Sequence, residues 1–164
     1  MKKVVLVAAL ALFGFSINAQ EGLKVGANLG LPVGDAGDAS GFSIGLDAQY
    51  MFETAGEFDL GVATGFTNAF GKSIGDDIIS IEIDDVQFLP LAGVARYKAS
   101  EEISIGTDLG YALGINDGND GGFYYRPTVA YAVSEVVEIN ASYTGISLDG
   151  GSWTTINLGV LFSL

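Results

Sequence analysis

Eight stretches of the chain alternate apolar and polar residues with a period of two, the spacing of a β-strand whose faces meet unlike surroundings. The first, residues 22–31, sets Leu23, Val25, Ala27, Leu29 and Leu31 against Lys24, Gly26, Asn28 and Gly30. The pattern recurs over residues 41–52, 58–67, 86–98, 103–114, 123–133 and 137–145. A last stretch ends the chain with Ile156, Leu158, Val160, Phe162 and Leu164 on one face. Connections alternate long and short: long over 32–40, 68–85, 115–122 and 148–152, short over 53–57, 99–102 and 134–136. An even number of such strands, long loops at one end and tight turns at the other predict an all-β fold, an eight-stranded antiparallel barrel with both chain ends on one side. Pro90 interrupts the stretch 86–98, since proline has no N–H for a ladder, and a local bulge is the expected accommodation. Within the longest connection, residues 78–83 have the apolar content to extend a strand beyond the barrel.

The faces differ in a way that sets their direction. One carries Leu, Ile, Val and aromatics with no Lys, Arg, Asp or Glu, and the other is crowded with Gly, Ala and Ser. A soluble barrel would turn its apolar face inward and its charges to water. Here the small residues suit a narrow lumen, and the chargeless face suits lipid, where one Lys or Arg at the midplane costs about 2–4 kcal/mol. Aromatics sort by height as well. Tyr50, Phe52, Phe58, Tyr97, Tyr131 and Phe162 fall beside the short turns or the carboxyl end, and Phe42, Phe66, Tyr111, Phe123, Tyr125, Tyr143 and Trp153 fall beside the long loops. Two such belts are expected of a transmembrane barrel, one at each interface.

The amino terminus supplies an address. Lys2 and Lys3 precede the apolar run Val4 to Phe15 and a polar exit ending at Ala19, which reads as a secretory signal peptide over residues 1–19 followed by a barrel domain over 20–164. The run is shorter than the ~20 residues a membrane-spanning helix needs. Removing it takes away two lysines and moves the formal charge from −13 to −15. So acidic a chain argues against nucleic acid as a partner, because phosphate binding needs clustered Lys and Arg. With no cysteine there is neither a disulfide framework nor a lipidated anchor.

The stretch Gly22-Leu23-Lys24-Val25-Gly26-Ala27-Asn28, together with Leu89-Pro90-Leu91 and Arg96-Tyr97, resembles the opening and central strands of the small outer-membrane β-barrel domain family of Gram-negative bacteria, the eight-stranded OmpA/OmpX-like, porin-family type. The resemblance implies short periplasmic turns, longer extracellular loops, a place in the cell outer membrane among its lipids, and insertion by the outer-membrane assembly machinery.

Candidate chemistry lies inside and at the rim. The alternation turns Lys24, Asp47, Asp59, Arg96, Lys98, Asp108, Arg126 and Glu138 inward, and opposite charges in a low-dielectric lumen are tolerable only when paired. The main expectation is a structural charge network that fills the barrel of a monomer. The alternative is a narrow passive channel for ions or small solutes, favoured by the lumen glycines Gly26, Gly45, Gly61, Gly65, Gly106 and Gly110. The chain has no His and no Cys, which removes the usual proton shuttle and the reactive thiol, so no enzyme and no cofactor is expected. The long loops carry Asp35, Asp38, Asp76, Asp77, Glu82, Asp84, Asp85, Asp117, Asp120 and Asp149 against Lys72 alone. Such carboxylates suit divalent cations or a surface ligand. Asp76, Asp77, Asp117 and Asp120 are the candidate metal ligands, although Thr128 stands where a calcium loop starting at Asp117 needs glutamate. A solvated acidic surface explains the same residues.

Overall fold

The computed structural model describes residues 22–52, 56–76 and 79–164, with 74–76 and 79–82 described by their backbone only. The signal peptide expected over residues 1–19 lies outside the described residues. Among the described residues ten strands form: β1 (Leu23–Val33), β2 (Ser40–Phe52), β3 (Phe58–Gly71), β4 (Ser73–Asp76), β5 (Ile79–Glu82), β6 (Val86–Lys98), β7 (Ile103–Gly114), β8 (Gly122–Ala132), β9 (Val137–Leu148) and β10 (Gly151–Ser163). A five-residue helical turn, α1 (Asp35–Ala39), joins β1 to β2. Eight strands close a barrel in the order β1-β2-β3-β6-β7-β8-β9-β10, every pair antiparallel, and β10 returns to β1 from Lys24↔Ser163 to Val33↔Thr154. The remaining two, β4 and β5, pair with each other outside the barrel. They turn the apolar stretch of the longest connection into a hairpin.

Period two decides which way each residue points. Leu29, Leu46, Leu60, Leu91, Leu109, Val129, Ile139 and Leu158 lie exposed on the outer wall, while Asp47, Arg96, Asp108 and Arg126 are buried inside. One step along β2 therefore passes from lipid to lumen, between Leu46 and Asp47. We expect Leu46→Arg to destabilise the barrel by about 2–4 kcal/mol, measured by urea unfolding in bilayers, because the guanidinium has only lipid to meet.

Prolines shape the ladders without bulging them. Between β3 and β6 the rungs run from Phe58↔Tyr97 to Thr64↔Leu91, skip the level of Pro90, and resume at Thr67↔Phe88 in the same register. The rungs between β8 and β9 lapse likewise at Pro127, from Tyr125↔Gly145 to Thr128↔Ser142. The bulge expected at Pro90 is thus not what forms. Each proline turns its missing donor into a gap of the ladder, and the Thr64 hydroxyl donates to the Pro90 carbonyl at 3.0 Å. A register irregularity does occur, between Ser40 and Phe42, where β2 begins.

Two further expectations change. The connection 148–152 is not long: β9 and β10 extend to Leu148↔Gly151 and leave only Asp149 and Gly150 as a tight turn, with Gly150 at φ 106. A positive φ there is open to glycine at little cost. Trp153 also leaves the outer belt and is buried in the lumen. The other aromatics stay at their heights and touch in pairs, Phe58 with Tyr97 at 5.1 Å between ring centroids near the short turns, and Phe42 with Phe70 at 4.5 Å near the long loops.

Candidate functional site: the filled lumen and its two ends

The lumen is built in three levels. At the level of the short turns, Lys24 Nζ meets Glu138 Oε2 at 2.7 Å, and Lys98 Nζ meets Asp59 Oδ2 at 2.9 Å. Higher up, Arg96 Nη2 lies 2.6 Å from Asp108 Oδ1. Arg126 donates to both oxygens of Asp47, from Nη1 at 2.8 Å and Nη2 at 3.2 Å, and its Nε donates to Ser142 Oγ at 3.0 Å. Asn28 Nδ2 adds a third donor to Asp47 at 2.7 Å. The eight inward charges read from the alternation are therefore gathered into four ion pairs.

Their arrangement follows from barrel closure. Arg96 and Asp108 stand on the neighbouring strands β6 and β7, one diagonal step apart, since Val94 is the residue opposite Asp108. Arg126 has Asp108 directly across its ladder, yet its guanidinium is committed to Asp47. In the ring of eight, β8 and β2 stand on opposite walls, so the Arg126–Asp47 pair is a strut across the lumen. A bidentate guanidinium–carboxylate pair is among the stronger charge-assisted contacts a protein can make.

Glycines leave room that neighbours then occupy. A Cβ at Gly45 would sit 2.6 Å from the Asn28 amide, and one at Gly106 would sit 2.8 Å from Cδ of Arg96. These two positions admit the side chains of the charge network, not an open path.

Toward the long loops the lumen becomes apolar. Phe88 and Trp153 pack with centroids 5.9 Å apart, surrounded by Ala69, Ala112, Tyr124 and Ile146. Ala36 of α1 is buried in the same cluster from above. The helical turn is held over the mouth by Lys72, whose backbone N–H donates to Ala39 O at 2.9 Å and whose Nζ donates to Gly37 O. Between this plug and the strut a space of about 20 Å³ remains, lined by Asn28, Thr144, Thr155 and Asn157 below Phe88 and Trp153. That is room for about one water molecule. The charge pattern of the strands does not reveal this plug, which is built from apolar residues on the inward parity. Its signal was present, since Trp153 shares parity with Thr155 and Asn157, and Phe88 with Pro90.

At the loop end, Asp35, Asp38, Asp84, Asp85, Asp117, Asp120 and Asp149 are all exposed. The loop between β7 and β8 is organised by its asparagines instead of its acids. Asn116 Oδ1 accepts from the Gln87 N–H at 2.9 Å, and Asn119 Nδ2 donates to Gln87 O at 2.9 Å. Asp85 is engaged locally, accepting from Asn68 Nδ2 at 3.0 Å and the Gly71 N–H at 3.1 Å. Of the metal candidates, Asp77 lies outside the described residues, as does the side chain of Asp76. Asp117 and Asp120 are not joined by a third carboxylate: no group of three His, Cys, Asp or Glu that could hold a metal occurs among the described residues.

Comparison with known proteins agrees with this architecture. No curated protein matches the chain. Among solved structures, Ail of Yersinia pestis in complex with the heparin analogue sucrose octasulfate superposes with a TM-score of 0.54 at 16% identity, covering 87% of this chain and 96% of that one. The de novo designed barrel TMB2.3 gives 0.59 at 14% identity, covering 90% and 97%. Neisserial surface protein A gives 0.50 at 17% identity, covering 87% and 96%. At such identities the likeness is one of fold. The outer membrane protein beta-barrel domain family matches residues 5–163, and with the closed antiparallel ring, the chargeless outer wall and the polar, filled interior it makes this chain a member of that family and a protein of the outer membrane.

Proposed function

We propose that the protein is a non-conducting, non-enzymatic outer-membrane barrel whose acidic loop end is a surface for interaction. The observation that carries this reading is the filled lumen: the Arg126–Asp47 strut spans opposite walls, and the Phe88–Trp153 plug covers it. Catalysis finds no support in the same interior. There is no His or Cys in the chain, and each inward carboxylate is engaged by a cation, which leaves none poised as a free general base. At the rim, exposed aspartates against Lys72 favour a cationic or neutral partner. A sulfated polyanion such as the one bound to Ail would meet like charge here, at a cost that falls with salt as the Debye length shortens.

Residues 20–164, refolded into planar bilayers, are expected to show no discrete openings. Steps whose size changes with Lys24→Ala would instead assign the narrow channel. Replacing residues 73–82 by two glycines is expected to keep the barrel folded, because β4 and β5 pair only with each other, while weakening retention of a lysine-rich probe peptide. The full connection 68–85 is unsuitable for removal, since Asn68, Ala69 and Gly71 belong to barrel ladders.

A further inference from the structure

At the end of the short turns, among the lower ion pairs of the charge network, the lumen opens into a vestibule of about 210 Å³. It lies at the opposite end from the acidic loops and owes nothing to the interaction surface proposed for them. We propose that this vestibule is a binding site for a small zwitterion of the α-amino-acid type, carboxylate inward and ammonium toward the rim.

Three features lead there. First, the Gln49 side chain lines the vestibule, is 5% exposed, and has no hydrogen-bond partner among the described residues. Its amide offers two donors and an acceptor that no protein group among the described residues takes up, so they stand available to a ligand in place of water. Second, spare donors line the space, Arg96 at its buried end and Lys24 and Lys98 nearer the rim. Arg96 is 8% exposed at the vestibule wall, and Lys24 and Lys98 each give one N–H to a carboxylate while keeping others free. Third, the pocket is balanced inside and acidic outside. Lys24, Arg96 and Lys98 are matched by Glu138, Asp108 and Asp59, whereas Glu101 and Glu102 stand exposed on the turn at the entrance. Glu101 is without a partner among the described residues.

That charge pattern selects the ligand class. A simple anion would carry an unmatched negative charge past an acidic rim into a neutral interior, and a simple cation would leave the spare donors unused. A zwitterion keeps the interior balance: its carboxylate reaches Gln49 and the lysine and arginine donors, and its ammonium faces Glu101. Hydrogen bonds of this charge-assisted kind are stronger than neutral ones. The same chemistry can arrive as a free amino acid or as the end of a short peptide on the periplasmic side.

The test is titration of the refolded barrel, residues 20–164 in nanodiscs, with alanine, alanyl-alanine, acetate and methylammonium, following the Gln49 side-chain amide resonances and the heat of binding. Saturable binding of alanine or alanyl-alanine is expected, with acetate and methylammonium each weaker by about tenfold or more. Tighter binding of alanine supports the site as one for free amino acids, and tighter binding of the dipeptide supports it as one for peptide ends. Glu101→Gln lies on an exposed turn and leaves the fold intact, and it is expected to weaken binding by about fivefold; Gln49→Leu is expected to weaken it by about tenfold. No saturable change with either zwitterion, acetate binding as tightly as alanine, or unchanged affinity in Glu101→Gln would each overturn the proposal.

Discussion

Replacing Asp47 by alanine is expected to lower the stability of the folded barrel by about 3–5 kcal/mol, read from urea unfolding in lipid bilayers. Asp47 accepts two hydrogen bonds from Arg126 and one from Asn28, so its loss leaves the buried Arg126 guanidinium without its carboxylate. The cost arises from that uncompensated charge more than from the attraction removed. The double variant Asp47→Ala, Arg126→Met is accordingly expected to regain most of the loss, because a filled apolar interior of similar volume replaces an ion pair at little cost. Should the double variant be no more stable than Asp47→Ala alone, the strut would owe its effect to shape, not charge. The remaining pairs are graded by exposure. Lys98 is 52% exposed, so its pair with Asp59 is expected to contribute less than about 1 kcal/mol.

Trp153→Ala carries a comparable expected loss, about 3–5 kcal/mol for truncating a large buried aromatic. The side chain fills the upper lumen against Phe88, under Ala36 of α1. Truncation leaves a void whose walls are held by barrel ladders and so cannot collapse, which places the cost at the upper part of the range. Trp153→Phe, which keeps a ring in contact with Phe88, is expected to cost less than half as much. The plug and the strut are separate barriers, so Trp153→Ala is also expected to remain electrically silent. Openings in that variant would show that the plug alone had closed a conducting path. Were Trp153 in the outer belt, as its height beside the loops suggests, the same truncation would be expected to have little effect.

Trp153 also shows how legible the fold was. Alternation assigns it inward with Thr155 and Asn157, while its aromatic character and height assign it to the lipid interface. Parity won, because every residue of a hydrogen-bonded strand is held to its face by its neighbours. The prolines divide in the same manner. Loss of a donor at Pro90 was readable, but whether the ladder bulges or skips a rung depends on where the partner strand places its hydrogen-bonding pairs. The turn at Asp149 and Gly150 carries the composition of a loop, because polar, glycine-rich residues serve in both.

Local pattern alone therefore determined the number of barrel strands, the inward or outward direction of nearly every side chain, the chargeless outer wall and the identity of the lumen charges. All of these follow from the two-residue period and the cost of placing charge in lipid. Tertiary structure decided who meets whom. Arg126 has Asp108 across its ladder yet reaches Asp47, 79 residues away, because closing eight tilted strands brings opposite walls within the span of an arginine and a carboxylate. Only that closure made a strut of two distant charges, a plug of six scattered apolar residues and a helical turn, and a vestibule of the unpaired amide of Gln49.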